Sequence, residues 1–303
     1  MNEILEMEHA ISKDMRVVTM TTNPLEQATP HRWIVVHGDE GYAAPLTADE
    51  ASPAGAQLFS LIPPPALPDV PPGETISVHE NAQSFDITYY DFGAYHGLYH
   101  HRGENWIFWD HSTKHYAVSS AQGLTDKAWV NIRYIMRHTV VDGLLTTPGR
   151  RRLHAVTGIL AGGADDGILI IGPYLSGKTV LLNTLIRAGV VSELVEDDCA
   201  VIDSSLVNFC LIPQRDEKRA LRRLNIRAIV CLDKEITTPQ AISAESALSW
   251  GVQIQASWPF FWLPHDSRIE TTLHAAPPDV PALRLPEKPD LAAVRDWGLG
   301  NRE

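Results

Sequence analysis

Residues Gly167–Gly189 read GILIIGPYLSGKTVLLNTLIRAG, and the stretch divides into three parts. GILII is an unbroken apolar run of strand length, and TVLLNTLI carries apolar residues at helical period. That helix is set to stop at Gly189, where a left-handed C-cap is natural. Between them GPYLSGKT matches G-x-x-x-x-G-K-[ST]. In such a loop the backbone N–H groups converge on a phosphate, and the helix that follows adds its positive end. Gly172, Pro173, Tyr174, Leu175, Ser176, Gly177, Lys178, Thr179 and Val180 are therefore the candidate nucleotide-contacting residues. Lys178 is the group to reach the outer phosphates, and Thr179 places a hydroxyl on Mg²⁺.

Around this stretch, strand and helix signals alternate. RRLHAVTGILA is separated from GILII by GGADDG, a good turn, and SELVEDDCAVID and LVNFCLIP read as further strands. DEKRALRRL reads as a basic amphipathic helix whose charges are solvated or face an acidic acceptor or the nucleotide's phosphates, and IRAIVCLD as a strand after it. Alternation of this kind predicts a layered α/β domain over residues 145–303. The tail PALRLPEKPDLAAVRDWGLG predicts a strand, a loop and a last short helix.

Residues 1–140 look different. HRWIVVHG carries a short strand, and the proline-dense stretch AGAQLFSLIPPPALPDVPPGETI reads as a loop or linker centred on 61–73. From Thr75 to Ser119 β-branched and aromatic residues broken by turn signals predict an antiparallel meander. Trp129, Ile132, Ile135 and Met136 then fall on one face of a linking helix over 126–144. SWPFFWLPH, Ser257–His265, reads as core, as an oligomer contact or as a lid, in that order.

Three acids in a row, Glu196, Asp197 and Asp198, interrupt apolar residues that look buried. Side chains alternate along a strand, so Asp197 and Asp198 face one way only if the chain turns there. Beside a polyphosphate, two carboxylates suit holding Mg²⁺ and accepting a proton from an attacking hydroxyl. The plainer alternative is an acid pair capping a turn. His154 sits in a short apolar strand, where a hydrogen-bonded core role competes with a catalytic one. Arg150, Arg151 and Arg152 before it read either as a solvated strand start or as neutralisers of phosphate or acceptor. His96, His100, His101, His111 and His115 form a dense histidine group. As strand residues, His100 and His101 face opposite ways, which weighs against a metal site.

The 303 residues carry 25 basic and 37 acidic side chains, a formal charge of −12, with 44% hydrophobic residues. A core of ordinary size is available, while the charge opposes nucleic acid and anionic membrane surfaces. Three cysteines without regular spacing argue against a disulfide framework. No signal peptide or membrane-length apolar run is legible, so the expectation is a cytoplasmic protein with neither nucleic-acid nor membrane partner.

The ordered set LHAVTG, GPYLSGKT, IRAG and LVEDDCAVID resembles the bacterial HPr kinase/phosphorylase family. LRRLNIRAIVCL is similar to HPr-kinase-like proteins of peptide-tailoring and other biosynthetic pathways, and the resemblance covers about residues 150 to 235. It implies a P-loop kinase domain of the HPr kinase/phosphoenolpyruvate carboxykinase type, here behind a β-rich N-terminal domain. It implies ATP and Mg²⁺ as cofactors, a hydroxyl-bearing peptide or small-molecule acceptor, and a homo-oligomer. Carried over by position, Lys178 and the loop hold phosphates, Thr179 and Asp198 the metal; Asp197 is the general base, with His154 close by. Val180 stands where these kinases carry an acid, and their glutamate-arginine-glycine segment has no counterpart, which argues against HPr itself as the acceptor. A rival reading keeps the loop but drops the transfer: a nucleotide-gated regulatory module whose aromatic half binds a partner.

Overall fold

The computed structural model describes residues 23–38, 40–47, 49–65, 75–80, 83–100, 105–173, 175–197, 199–256 and 280–286. It is a mixed α/β protein, mostly strand, with three helices and two sheets among those residues. The chain forms two compact units, one holding the residues up to Val140 with Pro213–Ala220, the other Val141–Ile212 and the described residues from Leu221 onward.

The first unit is built on β1 (Arg32–Val36), β2 (Tyr42–Leu46), β3 (Gln57–Ile62), β4 (Thr75–Glu80), β5 (Gln83–Asp91), β6 (His96–His100), β7 (Asn105–Asp110) and β8 (His115–Ser119). They lie in the order β2-β1-β3-β8-β7-β6-β5-β4, and every pairing is antiparallel except β3 with β8. β4 to β8 are the expected meander. QLFSLI, assigned to the proline loop, is instead β3, an interior strand with Leu61 and Ile62 buried. The prolines begin only at Pro63, so their ban on ladder hydrogen bonds does not reach it; residues 66–74 lie outside the described residues. One aromatic cluster joins Tyr90, Phe92, Tyr95, Trp106 and Phe108, with Trp106 and Phe108 stacked at 5.3 Å. Helix α1 (Asp126–Leu145) buries Ile132, Ile135 and Met136, as its spacing requires.

The second unit contains β9 (Arg151–Leu153), β10 (Ala155–Leu160), β11 (Asp166–Ile171), helix α2 (Lys178–Arg187), β12 (Val191–Glu196), β13 (Ala200–Ile202) and β14 (Val207–Cys210). After β15 (Arg219–Ala220) come β16 (Arg222–Leu232), β17 (Gln240–Ile242), helix α3 (Ala244–Ala256) and β18 (Ala282–Leu285). The sheet order is β12-β10-β11-β16-β14-β13-β9, with β18 parallel to the end of β16 and β17 on its far side. Ile168 and Ile170 pack under α2 with Leu181, Leu182 and Leu185, while Leu169 and Ile171 pack under α3 with Ala247, Leu248 and Val252. Burial on both faces explains why GILII shows no alternation.

The basic stretch DEKRALRRL is not a helix. β15 belongs to the first unit, where it pairs with β2, and β16 starts at once behind it. In β16 Leu224, Ile226 and Ala228 are buried while Arg223, Asn225 and Arg227 are exposed. That period of two is the strand signature, which the clustered charges mask. Helix α3 has no counterpart in the sequence reading, although Ser243 caps it through the Ser246 N–H at 3.1 Å. The SWPFFWLPH segment and the expected last helix lie outside the described residues. Among the described residues no helix is long and apolar enough to cross a membrane.

Candidate functional site

β11 delivers the chain into the loop from a strand buried at every residue after Asp166. A Cβ at Gly172 would collide with Ser176 Oγ and come within 3.2 Å of the Leu232 carbonyl oxygen, so any side chain there would have to push Ser176 aside and press on that strand. The Ser176 N–H donates to the Pro173 carbonyl at 3.2 Å, and Leu175 takes a left-handed φ of 59°. Gly177, at φ 90°, then turns the chain into α2, whose first bond runs from the Leu181 N–H to the Gly177 carbonyl. At the other end Gly189, with φ 72°, donates to Ile186 while Val190 donates to Leu185, the Schellman arrangement expected of that glycine.

Lys178 is buried, and its Nζ donates to the Gly172 and Pro173 carbonyls at 3.1 and 2.9 Å. Thr179 Oγ1 donates to Asp197 Oδ1 at 3.1 Å. Tyr174 and Asp198 lie outside the described residues. Leu175 and Val180 are 71% and 70% exposed, so two large apolar side chains flank the loop in water.

The strand register explains why Asp197 arrives there. Leu153 lies opposite Ala200 on β9 and β13, and Thr157 opposite Glu196 on β10 and β12. Four residues separate the members of each pair along either chain, so the two ladders stand in step on either side of a corner, as one bent ribbon. The same ribbon supplies both ends of the sheet order, so the sheet curls on itself at this corner. Ala155 pairs with Ile171, which brings the buried His154 level with Gly172. Thus the structure brings His154, the loop from Gly172 to Thr179 and Asp197 to one edge. The chain matches no protein-family model and no curated protein.

Inside the curl lies a polar row the sequence reading missed. Asn208 Nδ2 donates to Thr157 Oγ1 at 3.3 Å, and Glu196, across from Thr157, is buried beside it. Burial, and then the nearby Glu196, pushes the Cys210 thiol up to about 12, which makes it inert as a nucleophile. All three cysteines are buried and free. Asp233 was also missed: it ends β16, next to Leu232 against Gly172, and accepts from Arg284 Nε at 2.7 Å and from the Glu235 N–H at 2.8 Å. An apolar run ending in an acid, AIVCLD, is the signal that could have found it.

Arg151 and Arg152 are buried, so a solvated strand start does not describe them. Burial raises the Asp142 carboxyl to about 6, and the Arg152 charge opposes that rise. In the histidine group, His96 Nδ1 lies 3.7 Å from Asp91 Oδ1, and His111 accepts from Trp109 Nε1 at 2.9 Å. Burial pushes His115 down to about 4, and its Nε2 is 2.8 Å from Ser60 Oγ. His101 lies outside the described residues, and among those described no three His, Cys, Asp or Glu side chains gather as a metal site would require.

Proposed function

We propose that the chain is an ATP-dependent phosphotransferase, a P-loop kinase of the HPr kinase type. It would move the γ-phosphoryl group to the hydroxyl of a peptide or a small biosynthetic metabolite. The observation that carries this reading is the 3.1 Å hydrogen bond from Thr179 to Asp197. It joins the hydroxyl of a phosphate-loop motif to an acid that arrives from a different strand, which a mere glycine turn between strand and helix has no reason to do.

Thr179 Oγ1 and the Asp197 carboxylate are hard oxygen donors of the kind Mg²⁺ selects, and their contact lets one ion meet both. Asp198 is proposed as a further ligand. Bound there, Mg²⁺ supplies neutralisation of the phosphate oxygens. The loop N–H groups and Lys178 hold the outer phosphates in line with the acceptor. As the acceptor oxygen forms its bond to the γ-phosphorus, the bond to the β-phosphate oxygen breaks, and ADP leaves with that electron pair. Asp197 takes the hydroxyl proton, and His154 at the same corner positions that carboxylate.

The test is ATP consumption and acceptor mass, read by mass spectrometry for the wild type and Asp197→Asn against pools of peptides and hydroxylated metabolites. The expected result is a gain of one phosphate that falls by about 10²–10⁴-fold in the variant, the range for loss of a general base. Nucleotide affinity at saturating Mg²⁺ separates the two jobs of Asp197. Retained affinity with lost turnover assigns the base, and affinity lost only in the presence of Mg²⁺ assigns the metal. Nucleotide binding with a partner retained and no acceptor modified would replace this reading with the nucleotide-gated module.

A further inference from the structure

β11, β16 and β18 are parallel neighbours, and Ile171, Cys231 and Arg284 form one row across them. Their carboxyl ends therefore share one edge, the kind of edge outside which ligands of α/β sheets settle. Leu232 borders Gly172, so Asp233, the next residue, stands beside the phosphate loop. Arg284 leans out of its row to meet that acid. Its Nε donates to Asp233 Oδ2 at 2.7 Å, and its Nη2 donates to the same oxygen. Asp233 Oδ1 accepts the Glu235 N–H at 2.8 Å, which keeps the carboxylate from turning away. On its flat face the guanidinium lies over Trp250 of α3, 5.7 Å from the ring centroid.

An acid on one edge and a ring on one face fix the guanidinium without using all five of its donors. Nη1 meets no acceptor among the described residues. The Arg284 side chain keeps 30% of its exposure while that of Asp233 keeps 5%, so the acid is buried and the arginine faces outward. A guanidinium held in this way has its ordering cost met before an oxyanion arrives.

The sheet order decides which oxyanion. β12, which carries Asp197 at its end, and β10 lie on one side of β11; β16 and β18 lie on the other. In-line transfer sets the acceptor and the leaving group on opposite sides of the transferring phosphorus. With the acceptor at Asp197, the leaving end of the donor points toward Arg284. The loop and Lys178 account for the β- and γ-phosphates. Arg284 stands two strands from Ile171, about 10 Å at ~4.8 Å per strand, so it meets the next group along the donor.

We infer that Arg284 binds the α-phosphate of a nucleotide donor and that Asp233 is the residue positioning it. This rests on the phosphotransferase reading and adds what selects the donor. Pyrophosphate fills the loop and stops short of Arg284, whereas a chain of three phosphates reaches it.

The test titrates the Mg²⁺ complexes of ATP, inorganic triphosphate and pyrophosphate into the whole chain by calorimetry. Arg284→Gln is expected to weaken ATP and triphosphate by about tenfold or more and to leave pyrophosphate unchanged. Arg284→Lys should recover part of the loss, since it keeps the charge without the fork. Asp233→Asn should weaken the same two ligands by less, and should add nothing in the double variant with Arg284→Gln, as expected of a residue that acts through the arginine. That double variant removes both charges together, and it carries the test if melting curves show that a single variant does not fold. Unchanged ATP affinity in Arg284→Gln, or an equal loss for pyrophosphate, would overturn the assignment. No saturable ATP binding by the wild type at ~1 mM would overturn it together with the kinase reading. Failure of the kinase reading alone shows differently, as the same ligand preference with no phosphate passed to any acceptor.

Discussion

The two sheets of this chain solve the same burial problem with different side chains. The first unit fills its core with Trp, Phe and Tyr, and among the described residues His138 is its only buried charged or histidine side chain. The second packs Leu, Ile, Val and Ala, yet buries Arg151, Arg152, His154, Lys178, Glu196 and Asp233. Taking a charge from water costs several kcal/mol unless partners meet it, so a fold seldom buries five charged side chains and a histidine together without a use for them. Four of the six lie along the ribbon and corner that hold the loop. That contrast, more than the loop motif, directs the search for chemistry to the second unit.

The sharpest way to break the comparison is Lys178→Ala. If the buried charges of the second unit serve a nucleotide, ATP affinity should fall by about 100-fold, or ~2.7 kcal/mol. Equilibrium dialysis measures it. Removing a buried ammonium that only holds two loop carbonyls would instead change stability and leave ATP affinity where it was.

Legibility in the sequence follows the same divide. GILII, the loop and the helix ending at Gly189 could be read because each depends on neighbours in the chain: an apolar run, two required glycines, a C-cap. The turn at Asp197 was legible too, since three acids among apolar residues cannot continue a strand. What could not be read depends on partners far away in sequence. Nothing local says that Thr157 and Asn208 meet inside a curl, or that one ribbon makes both ends of a sheet. The start of β16, Arg222–Leu224, was misread because its arginines cluster in sequence while their strand alternation is set by the ladder; IRAIVCLD was read as the strand it is. β3 was misread because prolines downstream coloured an apolar run that contains none.

Acid should separate the units in the other direction. His115 in the first unit is held down to about 4 by burial, below its usual 6.5. The unfolded chain therefore binds the extra proton between those values, and stability falls as pH drops from about 6.5 toward 4. The loss is on the order of 2 kcal/mol, discounted for partial exposure. Denaturation midpoints across that range measure it, and His115→Gln, which keeps a partner for Ser60, should flatten the slope. An unchanged slope would move the acid sensitivity elsewhere.

Asp142 in the second unit runs oppositely. Its carboxyl is raised to about 6 from 3.8, so the folded state holds the proton more tightly, and stability is lost as pH rises from about 3.8 through 6. Asp142→Asn should stabilise the protein by about 1 kcal/mol at pH 7, less than the shift alone implies because Arg152 loses its counter-charge. The gain should vanish near pH 4. Thermal melts at the two pH values decide it; a destabilised variant at pH 7 would make the Arg152 pairing the larger effect.

The smallest effect tests whether the loop itself is strained for a purpose. Leu175 holds φ at 59° while its side chain is 71% in water, so its conformation is costly and its burial returns little. A left-handed backbone costs a non-glycine residue about 1 kcal/mol, and glycine none. Leu175→Gly also loosens the unfolded chain, which offsets part of that relief. A gain of at most ~0.5 kcal/mol is the expected remainder. If stability rises and phosphate transfer weakens, the leucine is kept at that φ because its exposed side chain meets a ligand. If stability rises and transfer is untouched, the strain has no part in the chemistry, and the charges alone distinguish the second unit from the first.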